Sequence, residues 1–526
     1  MKQKMLYMSF TYIYFIDKII MVIEMKTLFI SPVSISVELE NFDIYYCESY
    51  KVYLNGKYLY EGNTNVLSIY DLTPNTKYKL EVISNNFIEE QCFETKDKKL
   101  KLIKSEGFND MTEVVQNAID NLSEDEVLVL DGKFKIVSLF IRKGIDLYLK
   151  KGTILLGETD RNKFPILKHD DFLNGIPLGT WEGDFDDSFA SIITILGAKN
   201  VFIYGEGIID CNAQNSDWWI NHRVKRIARR PKGIFIHTSE NVTFDGIRVC
   251  NTPSWNQHPF YSKNINYYNC ELINPFNSPT TDGIDPESCE NVNIIGCKIS
   301  VGDDCIAIKS GKINFARLFH KPSSMITIRN CLMNNGHAGV TIGSENSGGI
   351  NNVLVTKCLF DHTDRGIRIK SQRGRGKDSI IENITFHNIK MDNVMSPFVI
   401  NAFYKAGNDE IDDRFNRDYL PVNDLTPRLK SFEFSNISCL NVSQGLAHFL
   451  GLPEAMIESV ALNDIIVTYN KDAKPMDMDM KAWVEEFKNV GIYAENVKRI
   501  VLKNVKFLDE PTKKFILRNV NFVEEN

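Results

Sequence analysis

Short phrases of alternating apolar and polar residues recur along the chain from about residue 190 onward. Each phrase contains a turn, often marked by Asn or Gly, after which one apolar residue or cysteine enters a second short strand. This position is occupied in turn by Ile247, Cys270, Cys297, Cys331, Cys358, Ile389, Ile437, Ile465 and Val505. Irregular steps in the twenties and thirties are typical of a β-helix, whose turns vary in length. The pattern therefore predicts an all-β fold, a right-handed parallel β-helix with the four cysteines stacked inside it.

The first hundred residues have a different pattern. Residues 27–97 contain short strands with turn signals, including the Asn-Gly hairpin phrase "YLNGKYLYEG". The phrase "DLTPNTKYKLEV" resembles the fibronectin type III domain, in which a leucine, a proline and a tyrosine lock a corner of a β-sandwich. We therefore predict a small β-sandwich over 27–97 and the β-helix domain over 98–526. Residues 1–26 are interpreted as a mis-assigned extension or a weak signal-like segment.

The β-helix domain is expected to begin with a cap. The phrase "DMTEVVQNAIDNL" predicts an amphipathic helix with apolar residues on one side, namely Val114, Val115, Ala118, Ile119 and Leu122. Such a helix would cover the open end of the coil stack, where unpaired strand edges invite aggregation.

Composition and charge exclude several classes of protein. The 526 residues are 43% hydrophobic and 25% charged, which excludes disordered, collagen-like and polytopic membrane proteins. The net charge of −7 disfavours nucleic acid as a partner, and a polyanionic ligand would require a local basic patch. The eleven cysteines lack the short paired spacings of zinc sites, so we predict that they are reduced and mostly buried.

The location of the protein is predicted from the first residues. Residues 5–16 are apolar but too short to span a bilayer, and no small-x-small cleavage site follows them. We therefore expect no stable membrane insertion and favour the cytoplasm over secretion. The sequence does not determine the oligomeric state.

Two neighbouring phrases place carboxylates in turns. "NSPTTDGIDPESCENV" contains Asp282 and Asp285, and "SVGDDCIAIKSG" contains Asp303 and Asp304 about one coil later. Residues one coil apart in a parallel β-helix stack at about 4.8 Å, so Asp282, Asp303 and Asp304 should lie together on one wall. Crowded carboxylates cannot all ionise freely, and separated pKa values provide an acid and a base. The plainer alternative is a pair of Asp-Gly turns.

Further polar residues follow at coil-like intervals. His337 comes one coil after Asp303, Arg368 and Lys370 share a strand face on the next coil, and Tyr404 lies one coil beyond. Arginine beside lysine is suited to binding a uronic-acid carboxylate. The required basic patch is present here and on an earlier coil, in Arg229, Arg230, Lys232, Arg368, Lys370, Arg373, Arg375 and Lys377.

At these residues the sequence resembles glycoside hydrolase family 28, the polygalacturonases. The phrases that carry the resemblance are "TDGIDPESCENVNIIGCKIS", "GDDCIAIKSG", "GHAGVTIGSE", "RIK" and "NTPSWNQHP". The resemblance implies a pectin-lyase-like solenoid and the cleavage of galacturonosyl linkages in pectic polysaccharides or oligogalacturonides, with no metal or other cofactor.

The resemblance also implies residue roles. Asp303 would be the general acid, and Asp282 and Asp304 would hold and deprotonate the water in an inverting reaction. His337 would tune the acid. Substrate contacts would come from His258, Arg368, Lys370 and Tyr404. The sequence departs from the family pattern at Ala338 and Thr280, which leaves details of substrate contact open.

The mode of attack is predicted from domain order. A fibronectin-like domain before such a β-helix resembles the exo-acting bacterial branch of the family, in which loops close one end of the groove. Residues 223–232, 372–378 and 405–430 are the expected closing segments.

Three alternatives remain at this point. A pectate lyase would also have carboxylates and arginines but would use calcium and β-elimination, giving an unsaturated product. A non-catalytic β-helix would bind polysaccharide without turnover. The substrate can also be rhamnogalacturonan or another acidic polymer, since Arg368 and Lys370 indicate only a uronate near the cleavage point.

Overall fold

The computed structural model describes residues 11–15, 18–404, 414–477 and 485–525. Residues 1–10 and 405–413, which belong to the predicted extension and to one predicted closing segment, lie outside the described residues. The chain forms two compact units, Met1–Lys99 and Leu100–Asn526.

The first unit is a pair of β-sheets. One sheet contains the strands Thr11–Phe15, Lys18–Glu24, Tyr46–Leu54, Lys57–Thr64, Lys77–Ile83 and Ile88–Glu94. The other contains Lys26–Ile30, Ile35–Glu38 and Val66–Ile69. At the predicted corner, Leu72 is buried and the backbone N–H of Thr73 donates to the Tyr78 hydroxyl at 3.0 Å. The predicted small sheet domain is confirmed.

The second unit is a parallel β-helix, as predicted, with three sheets that each coil visits in turn. One sheet is called here the groove sheet, because the predicted acids Asp282, Asp303 and Asp304 lie beside its strands. It includes Leu139–Ile141, Ile193–Leu196, Ile234–His237, Gln257–Phe260, Ile306–Ile308, Ser396–Asn401 and Gly445–Leu450. The second sheet includes Ile145–Leu149, Lys199–Gly205, Glu240–Asp245, Lys263–Tyr268, Glu290–Ile295, Ser323–Arg329 and Arg428–Leu429. The third includes Ile154–Gly157, Ile208–Asp210, Arg248–Cys250, Glu271–Ile273 and Lys298–Ser300.

Longer strands open the stack and continue through its later coils, where one strand runs from one sheet into the next. They are Lys99–Asp110, Glu126–Ile136, Leu332–Ile342, Ile350–Lys370, Ile380–Asp392, Ser431–Val442, Ser459–Tyr469, Val490–Phe507 and Phe515–Glu525. The predicted repeat alignment is their actual register. Cys358 pairs with Ile389, and the ladder continues through Ile437, Ile465 and Val505.

The predicted cysteine stack is also confirmed. Strand pairing on either side places Cys270, Cys297, Cys331 and Cys358 above one another, and each is at most 1% exposed. At the opposite, starting end of the second-sheet strands, asparagines such as Asn241 and Asn264 have left-handed backbones, which Asn tolerates better than most residues. Side-chain amides connect them from coil to coil, for example Asn264 to Asn241 at 2.9 Å.

Few helices are present in the described residues. The cap helix α1 spans Thr112–Asp120 and buries Val115 and Ile119. Val114 is 49% exposed, so its predicted place on the apolar side is wrong, because it lies on the flank of this short helix. A second helix, α2, spans Ile313–Leu318, and single 3-10 turns span Arg161–Lys163 and Ala213–Asn215. No helix in the described part of the chain has the length and apolar character needed to cross a membrane.

One excursion leaves the early coils between residues 158 and 192. It contains three small antiparallel pairs, formed by Ile166–Leu167 with Ser188–Phe189, Phe172–Leu173 with Ile176–Pro177, and Thr180–Trp181 with Asp184–Phe185. The Gly183 carbonyl accepts a hydrogen bond from the Lys312 N–H at 2.8 Å. The excursion therefore reaches the coil that follows Asp304.

Candidate active site

The three predicted acids come together at the start of two consecutive coils of the groove sheet. Ile284 pairs with Ile306, so Asp282 and Asp304 are register partners, one residue away from the predicted match of Asp282 with Asp303. One carboxylate oxygen from each of Asp282, Asp303 and Asp304 lies within 4.8 Å of the other two. The crowding predicted from coil spacing is therefore present.

Asp282 and Asp304 have opposite electrostatic environments. Burial raises the pKa of Asp282 well above its usual range, and the nearby Asp285 and Asp303 raise it further. Burial also acts to raise the pKa of Asp304, but Lys370 and Arg368 outweigh it and hold that pKa well below its usual range. The ionised form is thus favoured for Asp304, whereas Asp282 has the higher proton affinity.

Asp303 is the most accessible of the three acids, with its side chain 24% exposed. His337 lies on the next coil, where its Nδ1 is 3.0 Å from Asp303 Oδ1 and its backbone N–H donates to the Asp303 carbonyl. The hydrogen bond to Asp303 raises the pKa of His337 against the opposing effect of burial. This pair faces the solvent side of the cluster.

Arg368 and Lys370 lie behind the acids on the following coil. Lys370 Nζ donates to Asp304 Oδ2 at 2.8 Å, and Arg368 Nη1 is 3.6 Å from Asp304 Oδ1. Tyr404 packs against both cations, with its ring centre 5.2 Å from the Arg368 guanidinium carbon and 5.1 Å from Lys370 Nζ. The structure thus brings these three predicted residues to the acid cluster.

His258 is placed differently from the expectation of substrate contact. Its ring is fully buried, and Nε2 lies 2.9 Å from Glu287 Oε2. Burial, followed by the charges of Lys232 and Lys309, lowers its pKa well below the usual range. In this structure, His258 packs beneath the groove surface against Trp255 and does not present its ring to a ligand.

Sequence reasoning missed a buried cation at the centre of the site. Lys309 Nζ lies 3.2 Å from Glu345, 3.4 Å from Asp285 and 4.0 Å from Asp282. Burial lowers the pKa of Lys309, but Glu345, Asp285 and Asp282 raise it well above the usual value. Lys309 lies at the end of the apolar run "IAI", where a charged residue in a buried strand was the available signal.

The predicted basic segments fall into two groups. Arg373 and Arg375 are buried, with Arg373 bound to Glu454 at 2.6 Å and Arg375 adding positive charge near Glu345. These two residues therefore support the coil stack. Arg229 and Arg230 lie in the earlier segment beside Trp181.

The acid cluster also satisfies the distance requirement for a divalent cation. Its negative charge is already opposed by Lys309, Arg368 and Lys370, so charge balance requires no metal ion. A second group with suitable spacing, His169, Asp170 and Asp187, is largely exposed, and Lys168 pairs with Asp187.

A solvent-facing acid, a fixed carboxylate and a second carboxylate with raised proton affinity are the groups that general acid–base cleavage of a glycosidic bond requires. Residues 178–443, which include the acids, His337, Arg368, Lys370 and Tyr404, match the model of "Glycosyl hydrolases family 28". This chain belongs to that family.

Relatives and solved structures agree with this family 28 membership. A protein described as a probable polygalacturonase of Vitis vinifera is 28% identical over 380 residues, which cover 69% of this chain and 72% of the relative. The family 28 exopolygalacturonase of Yersinia enterocolitica has the same fold, with a TM-score of 0.68 and 18% identity over 94% of this chain and 98% of its own. An exopolygalacturonase of Thermotoga maritima gives a TM-score of 0.62 and 23% identity over 77% and 91% of the two chains.

Proposed function

We propose that this family 28 enzyme hydrolyses α-1,4-galacturonosyl linkages in polygalacturonate and oligogalacturonides, acting from the chain end. The observation that carries the proposal is the convergence of Asp282, Asp303 and Asp304 with Arg368 and Lys370, which lie two coils after Asp304. Acids alone would suit many glycosidic linkages. The neighbouring cations add a preference for a uronic acid.

Asp303 is the proposed general acid, because it is the acid that solvent and a substrate reach most easily. It protonates the glycosidic oxygen as the bond to the anomeric carbon breaks. The carboxylate that remains is stabilised by His337, which lies 3.0 Å away and has a raised pKa. His337 therefore supports the step through Asp303.

Asp282 and Asp304 are proposed to hold the attacking water. Oxygens at most 4.8 Å apart are within twice the length of one hydrogen bond, so a single water can bridge them. Asp304 remains ionised and orients the water, and Asp282, when ionised, is the stronger base. The proposed acid, Asp303, also has an oxygen within 4.8 Å of these two carboxylates, which is shorter than the roughly 6.5–9.5 Å between acid and base that usually accompanies inversion. Inversion is nevertheless proposed, because a water bridged by the two carboxylates leaves neither of them free to attack the sugar.

Arg368 and Lys370 are proposed to bind the carboxylate of a galacturonate. Asp304 offsets one of their two positive charges, which leaves one for the substrate. Tyr404 packs on both cations and fixes their positions. A guanidinium beside an ammonium favours a uronate over a neutral sugar at this place.

Exo action is supported by the excursion over residues 158–192, which reaches Lys312 on the coil that carries Asp303 and Asp304. The solved relatives from Yersinia enterocolitica and Thermotoga maritima, which share the fold, are described as exopolygalacturonases.

The test is incubation of the enzyme with polygalacturonate, with products separated by chromatography over time. Galacturonate or a short oligomer of one size, released from the start without unsaturated product, supports exo hydrolysis. Mixed oligomers would indicate endo action, and new ultraviolet absorbance would indicate elimination. Proton NMR of the first product checks inversion, since the β-anomer should appear first from an α-linkage.

A further inference from the structure

A buried arginine lies on the side of the groove that the earlier coils form, and none of the described residues is an acidic partner for it. Arg230 is 6% exposed, and no carboxylate of a described residue lies within the 4.0 Å of an ion pair. Its guanidinium donates to the carbonyls of Pro253 and Pro279 and to the Thr280 hydroxyl, and its Nε has no hydrogen-bond partner in the described part of the chain.

Three neighbouring arginines are paired with acids. Arg229 binds Asp186 at 2.6 Å, and Arg161 binds Asp217 at 2.6 Å. Arg226 also binds Asp217. Acids are therefore supplied for these three guanidinium groups, but none of the described residues supplies one for the buried Arg230.

A second buried cation increases the imbalance. Lys232 is 2% exposed, and its Nζ donates to the Thr180 carbonyl at 2.7 Å. No carboxylate of a described residue lies within 4.0 Å of this Nζ. Burial lowers the pKa of Lys232 to about 8 and that of Arg230 to about 10. Buried charge without a partner is costly, so this region is suited to accept a negative charge from a ligand.

An aromatic wall connects these cations to the acids. The Trp181 ring centre lies 5.4 Å from the Arg230 guanidinium carbon and 5.2 Å from Lys232 Nζ. Trp181 stacks on Trp255 at 6.4 Å, and Lys309 Nζ lies 4.7 Å from the Trp255 ring centre. The wall therefore ends at the lysine that contacts Asp282.

Strand order places Arg230 on the opposite side of the acids from Arg368. The groove-sheet strand that follows Arg230 begins at Ile234, which pairs with Gln257 on the next coil. Gln257 in turn pairs with Ile284, two residues after Asp282. The Arg230 side chain spans part of this distance, since it reaches Thr280, two residues before Asp282. Arg230 also lines a small surface depression together with Trp181 and His222.

We propose that Arg230, supported by Lys232 and the indole of Trp181, binds the carboxylate of a second uronate, on the early-coil side of the acids. The proposal rests on the hydrolysis of galacturonides proposed above. The acids then lie between two cationic sites, and the cleaved bond joins the two uronates that these sites hold. Glu182 and Asp282 act on Arg230 from beyond ion-pair distance and leave room for the ligand.

The experiment measures binding of trigalacturonate by calorimetry in the Asp303→Asn background, with and without Arg230→Gln. We expect Arg230→Gln to weaken binding about 10- to 100-fold, as for loss of a charge-assisted hydrogen bond. For a trisaccharide whose carboxylates are reduced to alcohols, Arg230→Gln should weaken binding by about twofold or less. Arg248→Gln, which removes a guanidinium from a solvent-facing pair with Glu271, is the control and should bind as the parent does.

The outcomes separate this inference from the proposed function. Equal affinity of Arg230→Gln and its parent for trigalacturonate would overturn the uronate site while leaving the hydrolase intact. If the wild-type enzyme neither binds nor cleaves galacturonides, the proposed function itself fails. If Arg230→Gln does not fold, Arg230→Lys replaces it, and a loss of about threefold or more, confined to the carboxylated ligand, is expected because lysine cannot bind in two-point fashion.

Discussion

The cysteine stack and the acid cluster both result from the same coil spacing, but they differ in the electrostatic repulsion between the stacked side chains. In the stack, Cys270, Cys297, Cys331 and Cys358 lie above one another as small apolar side chains, and stacking identical residues carries no electrostatic penalty. In the groove, the same spacing stacks carboxylates. Nearby coils must then supply Lys309, Arg368 and Lys370 to offset the repulsion.

The comparison shows which positions of this fold tolerate substitution and which do not. An interior position is defined by volume and polarity, so isoleucine replaces cysteine in later coils at the same register position. A groove position is defined by its charge partners. A substitution there changes the pKa of each residue that it contacts.

The largest effect is expected from Asp303→Asn. Loss of the proton donor should reduce kcat about 100- to 10,000-fold, while folding is retained because the side chain is partly exposed and the amide has the same shape. Product release from polygalacturonate measures kcat, and circular dichroism monitors the fold. Activity equal to that of the parent would remove Asp303 from the mechanism.

Lys370→Met is expected to have two smaller effects, one on stability and one on substrate binding. It leaves Asp304 with only the more distant Arg368, so the free energy of unfolding should fall by about 3 kcal/mol. KM for oligogalacturonides should rise about 10-fold or more, because one of the two substrate cations is lost. Urea unfolding and initial rates measure the two effects.

The matched control for that variant is Lys151→Met. Lys151 is 77% exposed in a surface pair with Glu206, so its loss should change the unfolding free energy by less than about 0.5 kcal/mol. Equal destabilisation by the two variants would contradict the view that Lys370 compensates a buried acid.

Asp282→Asn and Asp304→Asn are expected to change stability in opposite directions. The pKa of Asp282 is raised in the folded state, so its contribution to stability is present at low pH and is lost as pH rises above the unfolded value near 4. An amide has no ionised form for the fold to disfavour, so Asp282→Asn should stabilise the protein at pH 7 by about 1–2 kcal/mol.

The pKa of Asp304 is lowered, so its contribution is present above the unfolded value and is lost as pH falls toward the folded one. Asp304→Asn should therefore destabilise the protein at pH 7, by about 3 kcal/mol, because Lys370 and Arg368 lose their counter-charge. Both variants should have little activity. Thermal unfolding at pH 7 and pH 4 measures the difference, and a shift of the same sign for both would refute the assigned environments.

The smallest effect on activity is expected in the interior. Cys331→Ala leaves a small cavity and should lower the unfolding free energy by about 1–2 kcal/mol, with kcat within about twofold of the parent. A large loss of activity would mean that the stack and the groove are coupled.

The sequence predicted the coil register well because that register depends on local patterns. Apolar alternation and asparagine turns repeat in each coil, and they identified the ladder through Cys358, Ile389 and Ile437. The match of Asp282 to Asp303 was one residue off, because coil length alone does not fix the register within a turn. Asp304 is the actual partner.

What could not be predicted depends on pairs that are distant in sequence. Arg373 was assigned to an open basic segment, but its partner Glu454 lies on a much later coil. The role of Lys309 depends on Asp285 and Glu345, which are on different coils. The family resemblance implies a substrate contact for His258, and only packing shows that its ring is buried.

The most direct test of the account is a crystal structure of the Asp303→Asn variant with trigalacturonate bound. The account predicts a glycosidic oxygen within about 3 Å of the side chain at position 303 and a uronate carboxylate on Arg368 and Lys370. It also predicts one water held between Asp282 and Asp304. A sugar chain bound elsewhere, or one with its carboxylates turned away from both cations, would contradict it.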